Sequence, residues 1–284
     1  MNKLKKKYKL YYPMVLSRHP SHSILRAKNQ TLPLLPFRSV IRLGSTTVSD
    51  GRLEINTTEA VKNSASKLLM KQKFTEAGVK TANWYTFSNY LFYPNGDLTL
   101  GGTDQTRGIE TIEYPIVAKS LFGSRGIGNT KINNQEELEA WLPNKNLNNY
   151  IFEEFVKMTR EYRLHITKFG CFYTCRKLVK NDAPEGTWQR HDDVCNWVLE
   201  ENPSFKKPKN WDAIVADCVK AKDALGLDIC AFDVGVQGAK DGVERENPEW
   251  IIFESCSAPS FGAITGQEYI KILPKLLIDK YNNK

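Results

Sequence analysis

Two short apolar runs near the end of the chain, CAFDVGV (230–236) and IIFESC (251–256), constrain the fold most. Side chains alternate faces along a strand. In the first run Cys230, Phe232, Val234 and Val236 share one face, and Asp233 takes the other with small Ala231 and Gly235. In the second, Ile251, Phe253 and Ser255 share a face, leaving Glu254 opposite with Ile252 and Cys256. Each strand therefore sets one carboxylate in apolar surroundings. Such a carboxylate is costly unless it is paired or bound to a metal. Two on adjacent strands repel unless a cation lies between them, and oxygen-only ligands of this kind suit Mg²⁺. The plainer alternative pairs each with Lys or Arg.

A second feature lies upstream. The strand-like run 114–119 ends in Lys119 and enters SLFGSRGIGN, where Gly123, Gly126 and Gly128 let backbone amides approach a phosphate closely. A glycine-rich turn also serves a plain hairpin. A lysine closing the strand that enters it, with two metal-type carboxylates downstream, is more specific.

Around these features the chain alternates helices with mostly hairpin-linked strands, an α+β pattern. SASKLLMKQKFTEAG predicts a helix capped by Asn63 or Ser64 and ending at Gly78. YPNGDL predicts a hairpin turn, and Asn134 to Glu137 a capping box opening a helix through Trp141. YIFEEFV (150–156) reads as a strand, 162–179 as a hairpin turning near Gly170, and 210–225 as an amphipathic helix ending before Gly226.

A length of 284 residues suits about two domains. The net charge of +8 suggests a nucleic-acid partner until it is divided along the chain. Ten basic residues and no acidic one precede Asp50, which leaves 30 basic against 32 acidic residues from position 50 onward. The body is not basic, and any polyanion binding rests on the N-terminal segment. No apolar stretch is long enough to span a membrane. The start KLKKKYK is followed by YYPMVLSRHPSH rather than by the apolar core of a signal peptide. Six cysteines without a CxxC pair fit a reducing, cytoplasmic setting. HExxH, GxSxG and GxxxxGK[ST] are absent.

The ordered motifs NSASKLLMKQKFTEAGV, YPIVAKSLFGSRGIG, YIFEEFV, EYRLHI, CAFDVGV and IIFESCSAPS together resemble the ATP-grasp carboxylate–amine ligases, over roughly residues 56–275. The resemblance extends to the ribosomal-protein glutamate ligases and glutathione synthetase. It implies two α/β subdomains gripping ATP, at 56–149 and 150–284, behind a reduced, basic lead segment at 1–55. It also implies phosphate binding by Lys67 and Lys119, and a flexible lid at Gly123, Ser124, Gly126 and Gly128. Adenine would be read by Glu153 and the Phe155–Val156 backbone, with Glu161 near ribose or substrate. Arg163 would bind phosphate or acyl phosphate, while Arg176 and Lys177 compete for a further cationic role. Asp233 and Glu254 would hold Mg²⁺, or Mn²⁺ in its place, but Cys256 stands where the pattern expects Asn. A neutral thiol is a poor ligand for a hard cation. Either one metal position is weakened, Ser255 or Ser257 compensates, or activity is reduced.

The implied reaction activates a carboxylate as an acyl phosphate and joins it to an amine, releasing ADP and phosphate. The two substrates, small molecule, peptide or protein tail, are not identified by sequence. Arg190 and His191 in TWQRHDDVCNW (187–197) either line the acceptor site or belong to a surface loop. The alternatives to a ligase are a non-catalytic nucleotide-binding or interaction protein and a nucleic-acid-associated one. The basic lead segment suits an acidic partner.

Overall fold

The computed structural model describes residues 9–17, 19–26, 32–86, 112–123, 126–188, 193–240 and 243–283, with the backbone alone at 90–92 and 98–100. Strands β1 (Met14–Leu16), β2 (Ser39–Arg42) and β3 (Leu53–Ile55) form a parallel sheet in that order. Two short apolar runs of the lead segment, 10–16 and 39–43, supply its first two strands. All four residues of the central strand β2 are buried, as suits a parallel strand covered on both faces.

Two helices follow, α1 (Thr58–Ala65) and α2 (Lys67–Glu76), where the sequence suggested one beginning at Asn63 or Ser64. Thr57 caps α1, its hydroxyl accepting from the Ala60 amide at 3.1 Å. Ser66 then turns extended, ends α1 and caps α2. A serine hydroxyl offers the backbone a local acceptor, which favours a cap over a helix interior. Gly78, at φ +63°, lies just past α2 where a left-handed residue was expected.

The next strands are β4 (Trp84–Tyr85), β5 (Tyr90–Phe92), β6 (Leu98–Leu100), β7 (Ile116–Ser120) and β8 (Thr130–Ile132). β5 and β6 pair antiparallel, and the YPNGDL turn between them lies, but for Leu98, outside the described residues. Helix α3 (Gln135–Trp141) is capped by Asn134, which accepts from the Glu137 amide at 2.9 Å. The return arm of the box lands one residue early: the Glu137 carboxylate accepts from the Asn133 amide, a bond that lowers its pKa. β9 (Tyr150–Glu154) completes an antiparallel sheet in the order β4-β9-β7-β8. The division expected at 149/150 thus falls at the start of a strand that pairs back onto β7.

The remaining elements are β10 (Arg160–Thr167), β11 (Gly170–Val179), β12 (Cys195–Leu199), α4 (Trp211–Leu225), β13 (Ile229–Val236), the short ribbon β14 (Ala239–Lys240) and β15 (Val243–Glu244), β16 (Trp250–Cys256), and α5 (Ala263–Asn282). Five strands form an antiparallel sheet in the order β12-β11-β10-β13-β16. The β10–β11 hairpin turns at Gly170 and α4 stops at Gly226, both with positive φ, as the sequence indicated. One face of this sheet packs Tyr162, Phe232 and Ile252 against Met70 and Phe74 of α2 and Ile214 and Cys218 of α4.

Helix α5 has no counterpart among the elements expected from sequence, because Pro274 lies inside it. Its buried stripe, Tyr269, Leu273, Leu276 and Leu277, packs with Leu25, Ile41 and Ile55, so the end of the chain closes the core of the lead segment. No helix among the described residues is long and apolar enough to cross a membrane.

Candidate active site

Strand pairing fixes which side chains meet on the open face of the five-stranded sheet, because directly paired residues share a face. One row runs Cys175, Arg163, Asp233, Glu254; the next runs Trp197, Lys177, Glu161, Gly235. The alternation expected along β13 holds. Along β16 it does not, because the register shifts between Asp233 and Val234. Ile252 and Ser255 fall on the core face, while Phe253 keeps the face of Ile251, over Gly235, and Glu254 joins it there. A Cβ on Gly235 would sit 2.5 Å from the Met158 Cγ and the Phe253 Cζ, so glycine is required by close approach.

Register also separates Arg176 from Lys177. Arg176 points to the core face, where its Nη1 donates to the Ser204 carbonyl at 2.5 Å, and it serves the 204–205 loop rather than the site. Lys177 faces Asp233 and Glu161. The Asp233 Oδ1 accepts from Arg163 Nε at 2.7 Å, and its Oδ2 accepts from Arg163 Nη2 at 2.8 Å and Lys177 Nζ at 3.0 Å. Lys177 also pairs with Glu161. Burial alone would raise the Asp233 carboxyl, but the two cations hold it well below the usual carboxylate range. The Trp197 ring lies 4.9 Å from the Arg163 guanidinium and 5.4 Å from Lys177 Nζ, covering both cations.

A second cluster sits where α2 meets β7 and β9. Lys119 donates to the Glu153 Oε2 at 2.8 Å, and Lys71 pairs with the same oxygen at 3.1 Å. The Glu153 Oε1 is buried and has no hydrogen-bond partner among the described residues. Burial would raise the Glu153 carboxyl, and Lys119 and Lys71 together bring it below its ordinary value. Lys71 is fully buried, and burial pushes its ammonium down to about 8 against the pull of Glu153. Lys67 is lowered by burial and supported by Glu254, and its Nζ donates to the Gly123 carbonyl at 2.6 Å. That bond ties the start of α2 to the glycine-rich turn. Gly126 and Gly128 adopt φ +70° and +81° there; Ser124 lies outside the described residues.

The structure therefore gathers Lys67, Lys119, Glu153 and Gly123 in one cluster, and Arg163, Lys177, Glu161 and Asp233 in the other. The Phe155 amide is committed to the Pro115 carbonyl at 3.0 Å, so a ligand reading this hinge would meet the Phe155 carbonyl and the Val156 backbone. Sequence reasoning missed Lys71, although its spacing of four from Lys67 places both on one helix face. It also missed Met158, the Phe253 contact on Gly235, and the stacking of Trp197. Arg190 and His191 lie outside the described residues.

A hard divalent cation fits this face only in part. Glu254 offers an acceptor-only carboxylate that makes no ion pair or hydrogen bond among the described residues, and it lies near Lys67. Asp233 has both oxygens on organic cations. The Cys256 thiol is raised by burial, so it remains protonated and soft. No group of three or more His, Cys, Asp or Glu side chains arranged to hold a metal occurs among the described residues.

No protein-family model and no curated protein matches the sequence. Solved structures do match. D-alanine–D-alanine ligase from Bacillus anthracis aligns with TM-score 0.54 and 13% identity over 86% of this chain and 80% of that one. A RimK domain ATP-grasp protein from Sphaerobacter thermophilus aligns with TM-score 0.53 and 12% identity over 94% and 99%. N5-carboxyaminoimidazole synthetase from Staphylococcus aureus, complexed with ADP, aligns with TM-score 0.51 and 15% identity over 82% of this chain and 56% of that one. At these identities the likeness shows the fold, and the fold is ATP-grasp.

Proposed function

On this ATP-grasp fold, we propose an ATP-dependent ligase that activates a carboxylate as an acyl phosphate and joins it to an amine. The observation that carries the reading is the Lys67–Lys71–Lys119–Glu153 cluster beneath the glycine-rich turn, with a buried Glu153 Oε1 that has no partner among the described residues. An exocyclic amine such as that of adenine would satisfy this oxygen, while Lys67, Lys119 and the turn amides would meet phosphate oxygens. Phe253 over Gly235 gives an apolar floor against which a base would lie. Glu254 would hold a divalent cation, Mg²⁺ or Mn²⁺, which neutralises phosphate charge when bound.

Arg163 and Lys177, fixed by Asp233, present positive charge to the reacting carboxylate. The carboxylate oxygen attacks the γ-phosphorus, the bond to the β-phosphate oxygen breaks, and ADP leaves. The amine nitrogen then attacks the acyl carbon, phosphate departs, and a proton is lost to give the amide. Positioning and electrostatics supply the catalysis. Trp197 walls the substrate side. Identifying the pair of substrates needs product mass spectrometry of cell extract incubated with ATP.

The test is ADP release by purified protein in that extract. Lys119→Ala is expected to cut the rate about 100-fold, on the scale of losing one preorganised cationic donor. An unchanged rate sinks the assignment. A second reading, nucleotide binding without turnover, is favoured by the saturation of Asp233 and by Cys256. ATP binding by calorimetry with no product from any extract would establish it.

A further inference from the structure

The divalent-cation chemistry of this face can be counted from its ion pairs. Apart from Glu161, which pairs with Lys177, three side chains could ligate a metal here: Asp233, Glu254 and Cys256. A carboxylate has about four lone-pair positions on its two oxygens. Three of those on Asp233 are taken, two by the Arg163 fork and one by Lys177. The fork is bidentate, the geometry in which guanidinium and carboxylate bind best. Lys177 is further fixed by Glu161 on its other side. A metal at Asp233 would have to expel an ammonium or sit against the guanidinium. Cys256, paired with Ala231 in the next row, offers only sulfur, which hard cations avoid. Glu254 differs from both: it is directly opposite Asp233, yet it has neither an ion pair nor a hydrogen bond among the described residues.

We propose that Arg163 and Lys177 take the place of a divalent cation at Asp233, so that the centre binds a single divalent cation per nucleotide, through Glu254. The inference rests on the nucleotide reading above. It makes Asp233 a positioning residue for two cations rather than a metal ligand.

The test counts Mn²⁺ by electron paramagnetic resonance in the full chain saturated with the non-hydrolysable analogue AMP-PNP, after calorimetry has measured AMP-PNP binding. The expected result is one Mn²⁺ per bound AMP-PNP. Glu254→Gln should weaken Mn²⁺ at least about tenfold, and Asp233→Asn should keep the count at one with affinity within about threefold. Two Mn²⁺ in the wild-type protein, or a tenfold loss in Asp233→Asn, would overturn the proposal. If Asp233→Asn does not fold, the wild-type count and Glu254→Gln decide. Failure to bind AMP-PNP at all would defeat the nucleotide reading and this inference with it, whereas AMP-PNP binding with two Mn²⁺ defeats only the inference.

Discussion

Glu153 and Asp233 are two buried carboxylates built from the same parts and left in different states. Each lies between two cations: Lys71 and Lys119 in one case, Arg163 and Lys177 in the other. Both lysines on Glu153 bind the same oxygen, which leaves Oε1 buried and without a partner among the described residues. On Asp233 the guanidinium fork spreads over both oxygens and gives each a partner. An unsatisfied buried acceptor costs about 1–3 kcal/mol, a cost removed when a donor arrives. The first cluster is therefore arranged to receive something, and the second to hold something in place.

The largest effect should come from neutralising each carboxylate without changing its shape. Asp233→Asn leaves Arg163 with no route to neutrality, because a guanidinium does not lose its proton in a protein. A loss of about 3–5 kcal/mol in urea unfolding is expected, the range for one broken partner of a buried pair. Glu153→Gln should cost less, about 1–3 kcal/mol, because Lys71 already titrates near 8 and can shed its proton. Equal losses would erase the distinction between the clusters.

The same difference has a pH signature. The Lys71 pKa is about 8 in the folded chain and 10.5 when exposed. Between those values the unfolded chain binds more protons, so the Lys71 contribution to stability rises with pH across that window. Below pH 8 the buried ammonium is a standing cost. The slope attributable to one group cannot exceed about 1.4 kcal/mol per pH unit. Subtracting the Lys71→Met profile from the wild-type profile should leave a positive slope from pH 8 to about 10. A flat difference would show that Glu153 holds the proton on Lys71 after all.

Much of this was legible in sequence, for reasons that vary by residue. Asp233 declared itself because β13 alternates without interruption and its core face is uniformly apolar. Gly226 and Gly170 marked ends and turns because only glycine adopts their backbone freely. The separation of Glu254 from Ile251 and Phe253 was misread because a register shift in β16 leaves no trace in residue type. Arg176 and Lys177 could not be told apart until pairing with Tyr162 and Glu161 fixed their faces. Lys71 looked like any helix lysine, since its burial depends on strands β7 and β9 more than 40 residues downstream. Helix α5 was hidden by Pro274, although its apolar positions recur at helical spacing.

The smallest expected effect is also the one that probes the ground between the two clusters. Phe253 lies over Gly235, and Lys119 Nζ stands 5.9 Å from the centre of its ring. Gly235→Ala would place a methyl 2.5 Å from the Met158 Cγ and the Phe253 Cζ, so the ring or the thioether must move. Overpacking of this kind costs about 1–3 kcal/mol, and the low end is expected here because Met is adaptable. Phe253 is the proposed floor for a base, whereas Asp233 and its cations are fixed by bonds that do not involve the ring. Gly235→Ala should therefore weaken AMP-PNP binding several-fold, with inorganic triphosphate binding unchanged within about twofold, as one displaced apolar contact would do. Equal weakening of both ligands would mean that the ring supports the lysine cluster rather than a base.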